Sequence, residues 1–105
     1  MTEAMRKILQ QCRDNGDFDA VIDAVPYAGL LGIKLHSMDL QPTFILPANR
    51  DNIGNPTLPA IHGGVIAGCM ETSAALHLLM TMESIALPKI IDFSIDYLRA
   101  GRLQD

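Results

Sequence analysis

The spacing of apolar residues changes character several times along this chain, and each change predicts a different element. Met5, Ile8, Leu9 and Cys12 recur at i, i+3, i+4 and i+7, which is one stripe of a 3.6-residue period. That stripe predicts an amphipathic helix over residues 2–14, with Thr2 as its N-cap and Asn15-Gly16 as its stop. A second, short helix is expected over residues 17–24. Pro26 ends it, because the residue before a proline is pushed out of the α region. Leu31, Ile33 and Leu35 then alternate with Gly32, Lys34 and His36, the period of two that marks a strand. Residues 43–46 form a second candidate strand. With a turn around residues 37–41, the two predict a hairpin.

Residues 47–61, PANRDNIGNPTLPAI, contain three prolines, one glycine and three asparagines. They predict a long irregular segment, of the kind that often carries function. His62-Gly63-Gly64 then opens a helix expected to run to about residue 80 or 82. Val65, Ile66, Cys69, Met70, Leu76 and Leu79 surround it with apolar side chains, and a helix that is apolar all round is expected to be buried. Beyond Pro88, Ile91, Phe93, Ile95 and Tyr97 alternate with Asp92, Ser94, Asp96 and Leu98. This is the clearest strand pattern in the chain, with one apolar and one largely polar face.

Composition narrows the classes. The 105 residues, 11.4 kDa, leave room for one domain. With 49% hydrophobic and 19% charged residues the chain is no disordered segment, so a single α+β domain over residues 1–105 is expected. A net charge of −4 and a pI near 5.1 exclude a nucleic-acid binder that relies on a basic surface. The longest charge-free run, residues 52–70, holds two prolines, four glycines and two asparagines, which argues against a membrane span. The N-terminal charges are evenly spread, unlike a signal peptide. Cys12 and Cys69 lack CxxC spacing. They predict buried thiols in a reduced, cytoplasmic compartment.

Glu71 does not fit the core. It is the only formally charged residue between Asp51 and Glu83, midway along the helix expected to be buried. A carboxylate in such a place costs several kcal/mol unless solvated, paired or protonated, and desolvation would raise its pKa. A raised carboxylate in a cleft is a candidate general base or nucleophile. Ala67, Gly68, Ala74 and Ala75 lie at i−4, i−3, i+3 and i+4, so the face around the acid is small. It leaves room for a ligand or another backbone. Thr72 and Ser73 flank Glu71, but helical angle points them elsewhere. The alternative is a Glu that reaches solvent, or one paired with Lys89 or Arg99.

Gly63 and Gly64 form the second feature. First-turn amides have no intrahelical acceptors and, helped by the helix dipole, can donate to a carbonyl oxygen. The alternative is an ordinary loop-to-helix junction. Gly63 and Glu71 are eight residues apart, about 12 Å along a helix, whereas a general base works about 3 Å from its proton. If both serve one site, one chain supplies the acid and another the amide, as a two-fold dimer with antiparallel helices would allow.

The run IGNPTLPAIHGGVIAGCMETSAALHLL, followed by KIIDFSIDYLRAGRLQD, resembles the hotdog-fold acyl-CoA thioesterases of the phenylacetate-pathway (PaaI-like) type. The resemblance covers roughly residues 26–105. It implies a long central helix packed on an antiparallel sheet, here preceded by an N-terminal helix, in a homodimer or tetramer with sites between subunits. It also implies that the Gly63 amide polarises the thioester carbonyl. Glu71 of a partner chain would act as general base or nucleophile. Asn55 is the nearest loop residue to position water or the carbonyl, although Pro56 fills the family's usual position. His62 is implied beside the site as a hydrogen-bonding residue. Gly64, Ala67 and Gly68 would adjoin the substrate, and Arg99 and Arg102 would meet the phosphates of coenzyme A or else stand solvated. The family's Ser or Thr one turn after the acid is Ala75 here. Family members usually continue for three more strands, so the C-terminal part of the sheet is expected to be missing from this chain. His62, Glu71 and His77 lack metal-ligand spacing, so neither metal nor cofactor is expected. The reading is an acyl-CoA thioester hydrolase. The alternatives are a non-catalytic acyl-binding or assembly module and, less favoured, an acyl-thioester dehydratase or hydratase.

Overall fold

The computed structural model describes residues 3–38, 41–82 and 89–105. Thr2, the expected first N-cap, and part of the expected 37–41 turn lie outside the described residues. The amphipathic stripe forms α1 (Glu3–Asn15), with Leu9 and Cys12 buried. Gly16 follows at φ +76°, and its amide donates to the Cys12 carbonyl at 2.8 Å. A left-handed glycine of this kind terminates a helix without steric cost.

α2 (Asp19–Asp23) is the expected second helix, shorter than residues 17–24. Pro26 does not simply close it. It opens a further helix, α3 (Pro26–Leu31), which the sequence reading left out. Proline suits the first turn of a helix, where its missing N–H is no loss. Gly32 closes α3 at φ +83°. Leu31 therefore belongs to a helix, and β1 (Lys34–Ser37) begins later than the alternation implies.

β1 pairs antiparallel with β2 (Thr43–Ile45) through Lys34↔Ile45, Leu35↔Phe44 and Ser37↔Thr43, with a bulge between Leu35 and Ser37. The expected hairpin is present. The segment expected to be irregular also contains regular structure. A 3₁₀ turn (Arg50–Asn52) leads into a second antiparallel pair, β3 (Ile53–Asn55) and β4 (Ala60–Ile61). The Asn55 side-chain oxygen accepts from the Thr57 and Leu58 amides at 3.0 and 3.4 Å. This Asx turn lets the Pro- and Asn-rich sequence double back.

α4 (Gly63–Thr81) is the long helix. Only its C-terminal half is buried, through Ala75, Leu76, Leu79 and Met80. Leu76, Leu79 and Met80 join Leu9, Cys12, Phe18, Val21, Ile22, Ala28, Leu31 and Ile33 in the core. Burying a Leu or Ile side chain of this kind contributes about 1.5–3 kcal/mol. The N-terminal half is less covered, with Val65 and Cys69 half-buried against the core and Met70 48% exposed, so the expectation of a fully buried helix fails. α3 also reaches the N-terminal half, where the Tyr27 side chain lies against Gly68. By length and composition alone, α4 is apolar enough to cross a membrane, at a mean hydropathy of 1.2.

The expected strand over residues 91–97 is absent. This stretch carries no ladder, and Ile91 and Leu98 are 102% and 89% exposed. Alternation fits a strand only if another backbone supplies the ladder, and none does so among the described residues. Further on, the Ile61 amide donates to the Gly101 carbonyl at 2.7 Å, and Ala60 bridges Arg102. The chain is thus of the α+β class, with helices and two small antiparallel sheets.

Candidate functional site

The site builds from the start of α4. His62 caps the helix, its Nδ1 accepting from the Gly64 amide at 2.9 Å. The His62 amide donates to the Asn52 carbonyl at 2.8 Å. Asn52 is itself buried, and its Nδ2 donates to the Leu31 carbonyl at 3.2 Å. One asparagine thus ties the end of α3 to the start of α4. Gly54 lets β3 approach closely, because a Cβ there would lie 2.7 Å from His62 Cα.

The Gly63 amide has no acceptor among the described residues. Its neighbourhood is shaped by Tyr97, whose hydroxyl donates to the Gly63 carbonyl at 2.7 Å. A Cβ on Gly63 would lie 3.2 Å from that ring. Gly63, Ile66, Tyr97 and Arg99 line a shallow groove of about 280 Å³. Tyr97 is thus beside a candidate site residue, which its place in an expected strand did not suggest.

Glu71 lines a different cavity, of about 330 Å³, with Thr72, Ala75 and Leu76 from α4. Val25 and Tyr27 close one side, and Lys89 and Ile90 another. Glu71 is exposed, because α4 is uncovered there. The burial expected of it is therefore absent in the single chain. Glu71 and Lys89 bring opposite charges to the lining of one cavity. Thr72, expected to point elsewhere, lines the same cavity. With Gly68 and Ala75 it lies on one helical line, at i−4 and i+3. The room expected at Gly68 is taken by Tyr27, whose hydroxyl occupies the position a Cβ on Gly68 would need. The spacing around Gly68 signals a small face, but nothing in the sequence indicates which side chain fills it.

The remaining predicted residues lie elsewhere. Asn55 is engaged in its own turn. Arg102 donates to the Leu58 carbonyl at 2.6 Å and so braces the same turn, while Arg99 is exposed in the Gly63 groove. Ala67 is half-buried on α4. Burial pushes the Cys69 thiol up, partly offset by Ser73, whose hydroxyl lies 3.9 Å from the sulfur. Burial likewise pushes up Cys12, with Asp17 and Asp19 adding to it against a bond to the Val21 backbone. Neither thiol is therefore a ready nucleophile at neutral pH. No group of His, Cys, Asp and Glu suited to a metal occurs among the described residues.

The predicted residues thus fall into two places on one helix. His62, Gly63, Gly64 and Arg99 gather at its start, and Gly68 and Glu71 lie beside the cavity two turns on. No protein-family model, curated protein or solved structure matches the chain.

Proposed function

We propose that this chain is a hotdog-type module that hydrolyses acyl-CoA thioesters, at a site shared by two copies. Glu71 activates water for attack on the thioester carbon, or attacks it directly. The amide of Gly63 from the other copy stabilises the oxyanion that develops. In the water route the carboxylate takes a proton from water as its oxygen adds to the carbonyl. The collapsing intermediate breaks the C–S bond and expels the thiolate of coenzyme A, which takes that proton from the Glu71 carboxyl to leave as the thiol. The observation that carries this reading is the pairing on α4 of an acid facing a largely apolar cavity with a first-turn amide that has no acceptor among the described residues. Their spacing of about 12 Å along the helix calls for two copies. The exposed Gly64, Met70, Glu71 and Ala74 along α4 mark the surface on which a second copy would lie.

A second reading is a non-catalytic acyl-binding or assembly module. The internal bonding of Asn55 and Arg102 favours it, because both are then removed from chemistry. A dehydratase or hydratase is the least favoured reading.

Thiol release from a panel of aryl- and fatty-acyl-CoA esters tests the proposal, with the chain and its Glu71→Gln variant compared at known oligomeric state. Activity that falls by about 10²-fold or more in the variant supports the general-base role. Equal activity in both removes Glu71 from the mechanism. A folded chain without activity favours the binding module.

A further inference from the structure

We infer that Tyr27 sets the length of the acyl group admitted beside Glu71. This inference rests on reading the Glu71 cavity as the acyl site. That cavity, about 330 Å³, lies near the lower end of ligand-pocket sizes, roughly 300–1,000 Å³. Its interior is set by Val25, Ala75, Leu76 and Ile90, with Glu71 and Lys89 as its charged groups. An apolar chain entering beside Glu71 therefore meets an apolar lining and then a wall.

Tyr27 is that wall on the side of Gly68. Its ring lies against α4, with the hydroxyl, Cε2 and Cζ crowding the position a Cβ of Gly68 would take. Only a glycine leaves the ring room to lie there. The ring is also carried by a well-held element. α3 starts on Pro26, ends on left-handed Gly32, and is anchored by buried Ala28 and Leu31. Beyond the ring, the same face of α4 continues through Gly68 to Gly64, one turn earlier. Removing the ring joins that small face to the cavity and lengthens it towards the helix start. Enlarging the ring shortens it.

The test uses S-alkyl thioether analogues of acyl-CoA, which bind without hydrolysis. Their affinity is measured by calorimetry as chain length increases, for the chain in its solution assembly and for Tyr27→Phe, Tyr27→Ala and Tyr27→Trp. Affinity is expected to rise roughly fourfold per buried methylene and then stop rising at a cut-off. Tyr27→Ala moves the cut-off to longer chains, Tyr27→Trp moves it to shorter ones, and Tyr27→Phe leaves it in place. If Tyr27→Ala does not fold, Tyr27→Trp decides. An unchanged cut-off in every folded variant overturns the inference, and so does a lack of binding by the wild-type chain. A cut-off that moves while no thioester is hydrolysed overturns the catalytic reading and leaves Tyr27 as the length-setting residue.

Discussion

The Tyr97 hydroxyl donates to the Gly63 carbonyl oxygen at 2.7 Å and fastens the 89–105 segment to the first turn of α4. The two residues are 34 positions apart, and the bond is partly open to solvent. Tyr97→Phe keeps the ring against Gly63 and deletes the bond. It is expected to cost about 0.5–1.5 kcal/mol and to raise amide exchange at Ile61, which donates to Gly101 in the same segment. Urea unfolding combined with hydrogen exchange checks both, and unchanged exchange at Ile61 would show that the segment is held by other means.

Arg13, in the last turn of α1, donates from one guanidinium nitrogen to the carbonyls of Leu79 and Met82 at 3.2 and 2.8 Å. A cation at the carbonyl end of a helix complements its dipole, and a charged donor strengthens the bond. Arg13→Ala is expected to lower stability by about 1.5–3 kcal/mol. Arg13→Lys should recover part of that loss. Equilibrium denaturation of the three proteins gives the comparison, and equal midpoints for all would remove this bond from the stabilising set.

Gly54 is held to glycine by backbone, since its Cβ would meet His62 Cα at 2.7 Å. A flexible side chain could move aside, but a main-chain atom cannot do so without shifting β3 or the cap of α4. Gly54→Ala is therefore expected to cost about 1–3 kcal/mol. Gly29 provides the control, because a Cβ there meets nothing within 4 Å. Thermal melts of both alanine variants should show a clear loss for Gly54 and none from overlap for Gly29.

Both thiols are pushed above the ordinary value of 9.0 by burial, so the folded state holds these protons more tightly than the unfolded chain. Their contribution to stability is fully present below pH 9 and is lost as pH rises through 9 towards the folded values. The melting temperature should fall across that alkaline window. The fall should be smaller in the Cys12→Ala/Cys69→Ala double variant. Identical slopes for the two proteins would assign the alkaline loss to other groups.

How far the sequence reveals this structure depends on what each element leans on. α1, the β1–β2 hairpin and the bounds of α4 follow from periodicity and from Gly16 and Gly63, because their cause is local. α3 is hidden because a proline both closes one helix and opens another. β3 and β4 are hidden because they are only three and two residues long, and their turn is made by the Asn55 side chain rather than by a hydrophobic pattern. Residues 91–97 carry the alternation of a strand, yet a strand also needs a partner edge. The position of Glu71 on a small-residue face is legible from spacing. Its exposure matches the alternative of a Glu that reaches solvent, but periodicity does not choose it, because that depends on where α1, α2 and α3 stop covering α4. Lys89 at the same cavity is one of the two partners the sequence offers for the acid, whereas the presence of Tyr27 there is a product of tertiary packing alone.

The sharing of one site between two copies is tested most directly by complementation. Gly63→Pro deletes the amide donor at the first helical position, where proline's fixed φ is accepted, and its ring pushes aside the Tyr97 ring, 3.2 Å from the Cβ position. His62 before it is already extended, at φ −59° and ψ 132°, as a residue preceding proline prefers. Glu71→Gln deletes the acid. Each variant alone is expected to be nearly inactive in thioester hydrolysis. An equal mixture that exchanges subunits should recover roughly a quarter of wild-type activity, because half of its dimers carry one intact site out of two. A mixture that stays inactive after demonstrated subunit exchange, beside an active wild-type chain, would contradict the shared site.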